Sequence, residues 1–110
     1  TTFRETLRQA GLLDTVVPLV CRSHVAARCW ETRLALVFID GGHAAETVRL
    51  DYQSWARHVM PGGYLVFHDI FTKPEEGGQA PYDVYRLALS SGQFMEEPMV
   101  GTLGILRRKS

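Results

Sequence analysis

Two short apolar runs separated by a helical pattern constrain the fold of this chain more than any other feature of its sequence. Residues 35–39 and 64–67 are rich in branched and aromatic side chains, which is typical of strands buried on both faces. Between them, apolar residues recur at alternating steps of three and four, which predicts one face of an amphipathic helix: Ala45, Val48, Tyr52, Trp55 and Val59. The Pro-Gly-Gly sequence at 61–63 is expected to end that helix and to turn the chain back. Two buried strands joined by a helix must be parallel, so the stretch predicts a right-handed strand–helix–strand unit.

Each of the two predicted strands ends in an acidic residue with a histidine close to it. Asp40 follows the first strand and His43 comes three residues later, while His68 and Asp69 together end the second strand. In an open parallel sheet, ligands bind beyond the carboxyl ends of the strands. We therefore expect all four side chains at the edge of the sheet where chemistry takes place.

The segment before this unit predicts two helices and one strand. Thr2 is followed three residues later by a glutamate, a capping box that predicts a helix from residue 3. Residues 23–30 predict a second helix, which Ser23 is able to cap. Residues 15–20 read as a strand, and Pro18 confines it to a sheet edge because proline lacks the donor that a central strand needs.

The segment after the unit predicts a helix at residues 81–90 and an antiparallel hairpin of strands at 94–97 and 102–107. The resulting order is α, β, α, β, α, β, α, β, β. This order indicates an α/β domain of the doubly wound type.

Composition excludes several classes of protein. A chain of 110 residues forms one small domain, and its 12 basic and 12 acidic residues give no net charge that would favour nucleic acid or a membrane surface. The basic sequence at 107–109 is interpreted as a solvated terminus. Cys21 and Cys29 lack the spacing of a zinc site, and free thiols are typical of the reducing cytoplasm, which is the expected location.

The motifs LVFIDGGH, D-Y-x-x-W and PGGYLVFHDI resemble those of the class I S-adenosylmethionine-dependent methyltransferases. The resemblance is strongest to the branch with FIDG-x-H and PGG-x-[ILV]-x-[FW]-HD motifs, which includes small-molecule and sugar O-methyltransferases. It covers nearly the whole chain and implies a Rossmann-like, mostly parallel sheet with an antiparallel C-terminal hairpin. It also implies that the family's first strand, Gly-rich loop and second strand would precede Thr1, so that residues 1–110 are the C-terminal portion of one domain.

A sheet without that first strand would have an open apolar edge between residues 15–20 and 35–39. Native domains avoid such edges because they pair with other chains. We therefore expect the edge to pair with the upstream segment or with a second copy of the chain, as a homo-oligomer.

The resemblance implies a role for each candidate site residue. His43 would take the proton from the acceptor hydroxyl, and Ser23, Asp40 and Gly41 would contact the cofactor, Ser23 at its adenine. Asp40, His68 and Asp69 would hold a divalent metal. One nitrogen and two carboxylates suit Mn²⁺ or Fe²⁺ better than Mg²⁺.

A structural alternative exists for each of these residues. An aspartate followed by two glycines is also typical of a turn, so Asp40 can have only this structural role. His68 can be a buried histidine bonded to a backbone carbonyl, and His43 and Ser23 can serve only to cap helices.

The expected function is methyl transfer from S-adenosylmethionine to a hydroxyl of a small-molecule acceptor, assisted by metal and dependent on the upstream segment. A neutral hydroxyl is a poor nucleophile, so the chemistry needs a base or a metal. Nucleic acid and membrane are not expected partners. The alternatives are a non-catalytic fragment or dimerisation module, which would not need Asp40, His43 or Asp69, and a metal-dependent oxygenase or hydrolase on the same scaffold.

Overall fold

A mixed sheet of four strands organises the residues that the computed structural model describes, 2–40 and 44–110. The spatial order is β1-β2-β4-β3, with strands β1 (Leu34–Ile39), β2 (Val59–Phe67), β3 (Phe94–Val100) and β4 (Leu103–Arg108). β1 and β2 pair in parallel, and β4 pairs antiparallel with both β2 and β3. Three strands therefore run in one direction and only β4 is reversed. The predicted sheet with an antiparallel C-terminal hairpin is confirmed.

Four α-helices accompany the sheet in the described part of the chain: α1 (Phe3–Gln9), α2 (Ser23–Arg28), α3 (Ala45–Trp55) and α4 (Ala80–Ser90). The capping box of α1 is present, since the Glu5 backbone N–H donates to Thr2 Oγ1 at 3.1 Å. Short 3₁₀ turns follow α3 at Ala56–His58 and precede α4 at Pro74–Glu76. None of the described helices has the length and apolar character needed to cross a membrane.

Helices α3 and α4 pack on the same face of the sheet. The core consists of alternate residues of the strands together with one stripe of each helix: Val37, Ile39, Val48, Val59, Leu65, Phe67, Ile70, Val84, Tyr85, Ala88, Phe94 and Leu106. Gly104 belongs to this layer, because an added Cβ would lie 2.8 Å from both Ile70 and Tyr85. The aromatic rings of Phe67 and Tyr85 meet edge to face.

The opposite face of the sheet is open, so the prediction that β1 is buried on both faces was wrong. Val37 and Ile39 are buried, whereas Leu36 and Phe38 between them are 54% and 51% exposed. The apolar residues of this open face line a shallow groove of about 260 Å³: Leu36, Phe38, Val66, Leu103 and Ile105. The continuous apolar run of β1 therefore reflects a core on one face and an uncovered apolar surface on the other.

The connection from α3 to β2 also differs from the prediction. Val59 belongs to β2 rather than to the helix, and Pro-Gly-Gly lies inside the strand. Leu34 pairs with Val59 but Leu36 pairs with Tyr64, so two steps along β1 correspond to five along β2. The intervening residues form a bulge. A Cβ on Gly63 would lie 2.9 Å from the carbonyl oxygen of Ala35, so this glycine allows the close approach of the two strands rather than ending a helix.

The predicted strand at residues 15–20 is absent. Residues 16–20 have no regular structure, and the side chains of Val17 and Val20 are exposed. A strand requires a neighbour, and in the described part of the chain β1 pairs only with β2. Pattern alone predicted a strand here, but nothing adjacent is available to receive its hydrogen bonds.

Candidate functional site

Asp40 and His68 lie side by side because they follow paired parallel strands. Ile39 pairs with Phe67, and the His68 backbone N–H donates to the Ile39 carbonyl at 3.3 Å, which extends the pairing by one residue. His68 Nδ1 then lies 3.2 Å from Oδ1 of Asp40. The predicted meeting of these two side chains at the carboxyl edge of the sheet is therefore observed.

Asp69 contacts the same nitrogen of His68. Its Oδ2 lies 3.0 Å from His68 Nδ1, and the Asp69 side chain is the least exposed of the three. The Nδ1 atom itself is shielded from solvent, and neither carboxylate contact has the geometry of a hydrogen bond. We interpret both as electrostatic contacts of two acids with one imidazole.

A left-handed backbone at Asp69 makes this arrangement possible. Side chains of consecutive residues in a strand point to opposite faces, so His68 and Asp69 would ordinarily diverge. Asp69 has φ 58°, the one positive value at a non-glycine residue in the described part of the chain. The next residue is fixed, since buried Ile70 donates its N–H to the Thr102 carbonyl at 2.8 Å. The sharp turn therefore brings both neighbours to one point, and strain of this kind clusters at functional sites.

Ser23 does not cap α2, which corrects the structural alternative for that residue. The N-cap position is Arg22, without a side-chain cap bond, and Ser23 is the first residue of the helix. Ser23 Oγ instead accepts a hydrogen bond from Trp55 Nε1 at 2.6 Å. Because an indole nitrogen only donates, the serine must accept, and its own O–H stays available as a donor.

A cavity of about 380 Å³ connects Ser23 with Asp40 along the free side of β1. Its lining combines strand residues with polar groups from both neighbouring helices: Ser23, Val37, Phe38, Ile39, Asp40, Asp51 and Trp55. Two of the predicted cofactor contacts therefore line one cavity. Sequence reasoning missed Asp51 and interpreted Trp55 as a core residue. Asp51 and Trp55 are four residues apart and therefore lie on one face of α3. This spacing could have indicated from the sequence that the two residues share a surface.

Two predicted site residues, Gly41 and His43, lie outside the described residues. Ala44 is the N-cap of α3 and makes no side-chain cap bond. The role of His43 as a base and that of Gly41 as a cofactor contact stay predictions.

The metal prediction is not supported by the geometry of the side chains. Within residues 2–40 and 44–110, no group of three or more His, Cys, Asp or Glu side chains is arranged to hold a metal ion. Asp40 and Asp69 both contact Nδ1 of His68, at 3.2 and 3.0 Å. As placed here, these residues do not fit a metal, and the metal site stays a prediction.

Comparison with known proteins decides the family. The family model described as a methyltransferase domain matches residues 1–70. The chain belongs to this methyltransferase domain family. The motifs at Asp40 and at His68–Asp69 both fall within the matched residues, so the resemblance seen in the sequence to the class I methyltransferases is confirmed.

Solved structures of methyltransferases share the fold. A proposed rRNA methylase from Clostridium thermocellum superposes with a TM-score of 0.72 at 14% identity, over 97% of this chain and 65% of its own. The O-methyltransferase NovP gives a TM-score of 0.72 at 19% identity, over 97% of this chain and 43% of its own. These likenesses confirm the predicted fold class. The chain spans less than two thirds of the length of either structure.

Proposed function

We propose that the full-length protein carrying this chain transfers a methyl group from S-adenosylmethionine to a hydroxyl of a small-molecule acceptor. The observation that carries the proposal is the meeting of Asp40, His68 and Asp69 at the carboxyl edge of a methyltransferase sheet. Ligands of open α/β sheets bind at this edge. The cavity that joins Asp40 to Ser23 begins at the same place.

The electrostatics of the edge suit a cationic cofactor. The sulfonium of S-adenosylmethionine carries a positive charge, and Asp40 and Asp69 together place two carboxylates beside a single imidazole. A carboxylate near a sulfonium favours its binding, while positioning of the methyl group against the acceptor oxygen supplies much of the rate. Asp40 is more than half exposed and is therefore accessible to a ligand.

Activation of the acceptor hydroxyl is assigned to His43, which follows Asp40 by three residues in the sequence. A neutral imidazole can accept the hydroxyl proton as the methyl group transfers, which typically accelerates such a step by ~10²–10⁴. The predicted divalent metal would polarise the same hydroxyl. No step is assigned to it here, because the described side chains do not form its site.

Transfer of a labelled methyl group from S-adenosylmethionine tests this function directly. Full-length protein is incubated with a panel of hydroxylated small molecules and, separately, with rRNA, since one structural neighbour is a proposed rRNA methylase. Label on a small hydroxylated acceptor is the expected result. Label on rRNA alone would show that the acceptor is rRNA and not a small molecule. Absence of transfer to any acceptor would contradict the proposed function.

The same assay with exhaustively chelated protein tests the metal. Loss of transfer with recovery on addition of Mn²⁺ or Mg²⁺ would establish metal assistance. Full activity after chelation would exclude it and leave His43 as the activator.

A second candidate is a non-catalytic module that joins another chain through β1. The observation that favours it is the free side of this strand, with Leu36 and Phe38 exposed. Cofactor binding by the full-length protein separates the candidates, because a module of this kind has no need of S-adenosylmethionine.

A further inference from the structure

The end of the sheet opposite to the candidate site carries a cluster of cations. Arg33 directly precedes β1, and Arg57 lies in the turn that directly precedes β2. β4 runs in the opposite direction, so its last residue, Arg108, arrives at the same end and is followed by Lys109. Three segments that are distant in sequence therefore bring their basic residues to one edge of the sheet.

Hydrogen bonds from arginine side chains to backbone carbonyls connect these residues. Arg57 Nη2 donates to the Ala27 carbonyl at 3.4 Å, which brings the neighbouring Arg28 to the group. Arg108 Nη1 donates to the Arg57 carbonyl at 3.3 Å and also to the Val59 carbonyl. We call the resulting set the basic edge: Arg28, Arg33, Arg57, Arg107, Arg108 and Lys109.

Few acids lie in the segments that form the basic edge. It holds six of the 12 Lys and Arg residues of the chain, while the segments 27–33, 57–59 and 107–110 contain a single acid, Glu31. Among the described residues, the ion pairs that involve Asp40 and Asp69 are both made with His68, at the other end of the sheet. Arg57 and Arg108 donate to backbone carbonyls, and Arg57 also donates to His58 Nε2 at 3.4 Å; none of these acceptors is a carboxylate. The chain has no net charge, but six of its basic residues gather at one end of the sheet while Asp40 and Asp69 lie at the other end.

We propose that the basic edge binds a single-stranded nucleic acid through its phosphodiester backbone. Adjacent strands are ~4.8 Å apart, so cations at the ends of β1, β2 and β4 form a row that can follow a chain of phosphates. The proposal goes beyond methyl transfer and does not rest on it.

An aromatic ring beside the row favours nucleic acid over a lipid surface. Tyr64 is 37% exposed, and the Arg107 guanidinium lies 5.9 Å from the centre of its ring. A base can stack on the guanidinium plane that lies over this ring, and stacking beside a positively charged groove is how strands without duplex structure are held. Lipid headgroups offer charge but no planar base.

Fluorescence anisotropy of the full-length protein with labelled single-stranded RNA and with DNA of the same sequence tests the proposal. The variant Arg33→Gln/Lys109→Gln removes two exposed charges of the basic edge without touching the backbone bonds of Arg57 and Arg108. The control Arg4→Gln/Arg8→Gln removes two charges from α1. Both variants have the same net charge, and circular dichroism checks that each is folded.

We expect binding that weakens with salt between about 50 and 200 mM, by a slope of about −0.7 per phosphate contact for single strands. The Arg33→Gln/Lys109→Gln variant should reduce that slope by about 1.4 and weaken binding about fivefold or more at low salt, while the control stays close to wild type. Preference for RNA or for DNA identifies the natural strand, and equal binding supports backbone recognition. Equal loss in both variants, absence of binding at about 50 mM salt, or binding only to phosphatidylserine vesicles would overturn the proposal.

Discussion

His68 Nδ1 lies 3.0 Å from Oδ2 of Asp69, the residue that follows it in the chain. This contact exists because Asp69 adopts a left-handed backbone with φ 58° while Ile70 is fixed beneath β4. Together with Asp40 at the end of the neighbouring strand, the pair concentrates two acids and an imidazole at one point. The concentration of these groups is the physical basis for placing the chemistry of the chain at this edge.

The backbone at Asp69 predicts a difference between two substitutions. Asparagine tolerates the left-handed region, whereas valine, which is branched at Cβ, does not. In the full-length protein, Asp69→Val should therefore be less stable than Asp69→Asn by about 1–3 kcal/mol. Chemical denaturation of both variants measures the difference. Equal free energies of unfolding would show that the left-handed turn is not maintained.

Tyr85 predicts a loss of stability at high pH. Burial, and then the hydrogen bond that its hydroxyl donates to Glu96 Oε2 at 2.5 Å, raise the pKa of Tyr85 above the ordinary value of 10.0. The folded protein therefore keeps the proton after the unfolded chain has lost it. The contribution of Tyr85 is fully present below pH 10 and falls as the pH rises beyond it.

Comparison with Tyr85→Phe isolates this contribution. The variant should be less stable by about 1 kcal/mol at neutral pH, where it lacks the hydrogen bond. Above pH 10 the difference should shrink, because phenylalanine has no proton to lose. Thermal unfolding at a series of pH values measures it. A constant difference across the series would contradict the shifted pKa.

The free side of β1 predicts the behaviour of residues 1–110 in isolation. Leu36 and Phe38 are exposed, and in the described part of the chain this strand has one neighbour. We expect residues 1–110 alone to be unstable or to associate through this edge. Sedimentation gives the mass and amide exchange gives the protection of β1. A monomer with strong protection along residues 36–39 would be incompatible with an open edge.

His43 should affect transfer without affecting cofactor binding. As the base, His43→Asn should slow transfer by ~10²–10⁴ in the full-length protein, and the wild-type rate should fall at low pH because a protonated imidazole cannot accept a proton. If His43 takes no part in the chemistry, turnover is retained in the variant. Rates across pH for both proteins decide this, and identical profiles would remove His43 from the mechanism.

The central unit of the fold could be predicted because local periodicity determines it. The alternation at residues 45–55 and the apolar runs on either side are sufficient for a strand–helix–strand unit, and parallel pairing then brings Asp40 beside His68. The segment 15–20 could not be assigned in the same way. Its pattern favours a strand, but a strand forms only where a neighbour accepts its hydrogen bonds, and that neighbour is not part of the local sequence.

Features set by contacts between distant residues were also missed. The bulge at Gly63 depends on the approach of Ala35, and the hydrogen bond of Ser23 depends on Trp55, which is 32 residues away. The basic edge has the same origin, because Arg33, Arg57 and Arg108 become neighbours only when the sheet forms. The composition gave no sign of this cluster, because the chain has equal numbers of basic and acidic residues.

Cofactor binding and single-turnover methyl transfer by Asp40→Asn show whether the acid at the end of β1 takes part in methyl transfer. Asparagine keeps the shape of the side chain but removes the charge that faces the cavity and His68. We predict that the affinity for S-adenosylmethionine falls by about 10- to 100-fold, the usual value of a contact to a charged group, with a matching loss of transfer. Asp83→Asn, which changes an exposed acid of α4, should leave both unchanged. Wild-type affinity and transfer in Asp40→Asn would contradict the account, because the acid at the end of β1 would then have no part in methyl transfer.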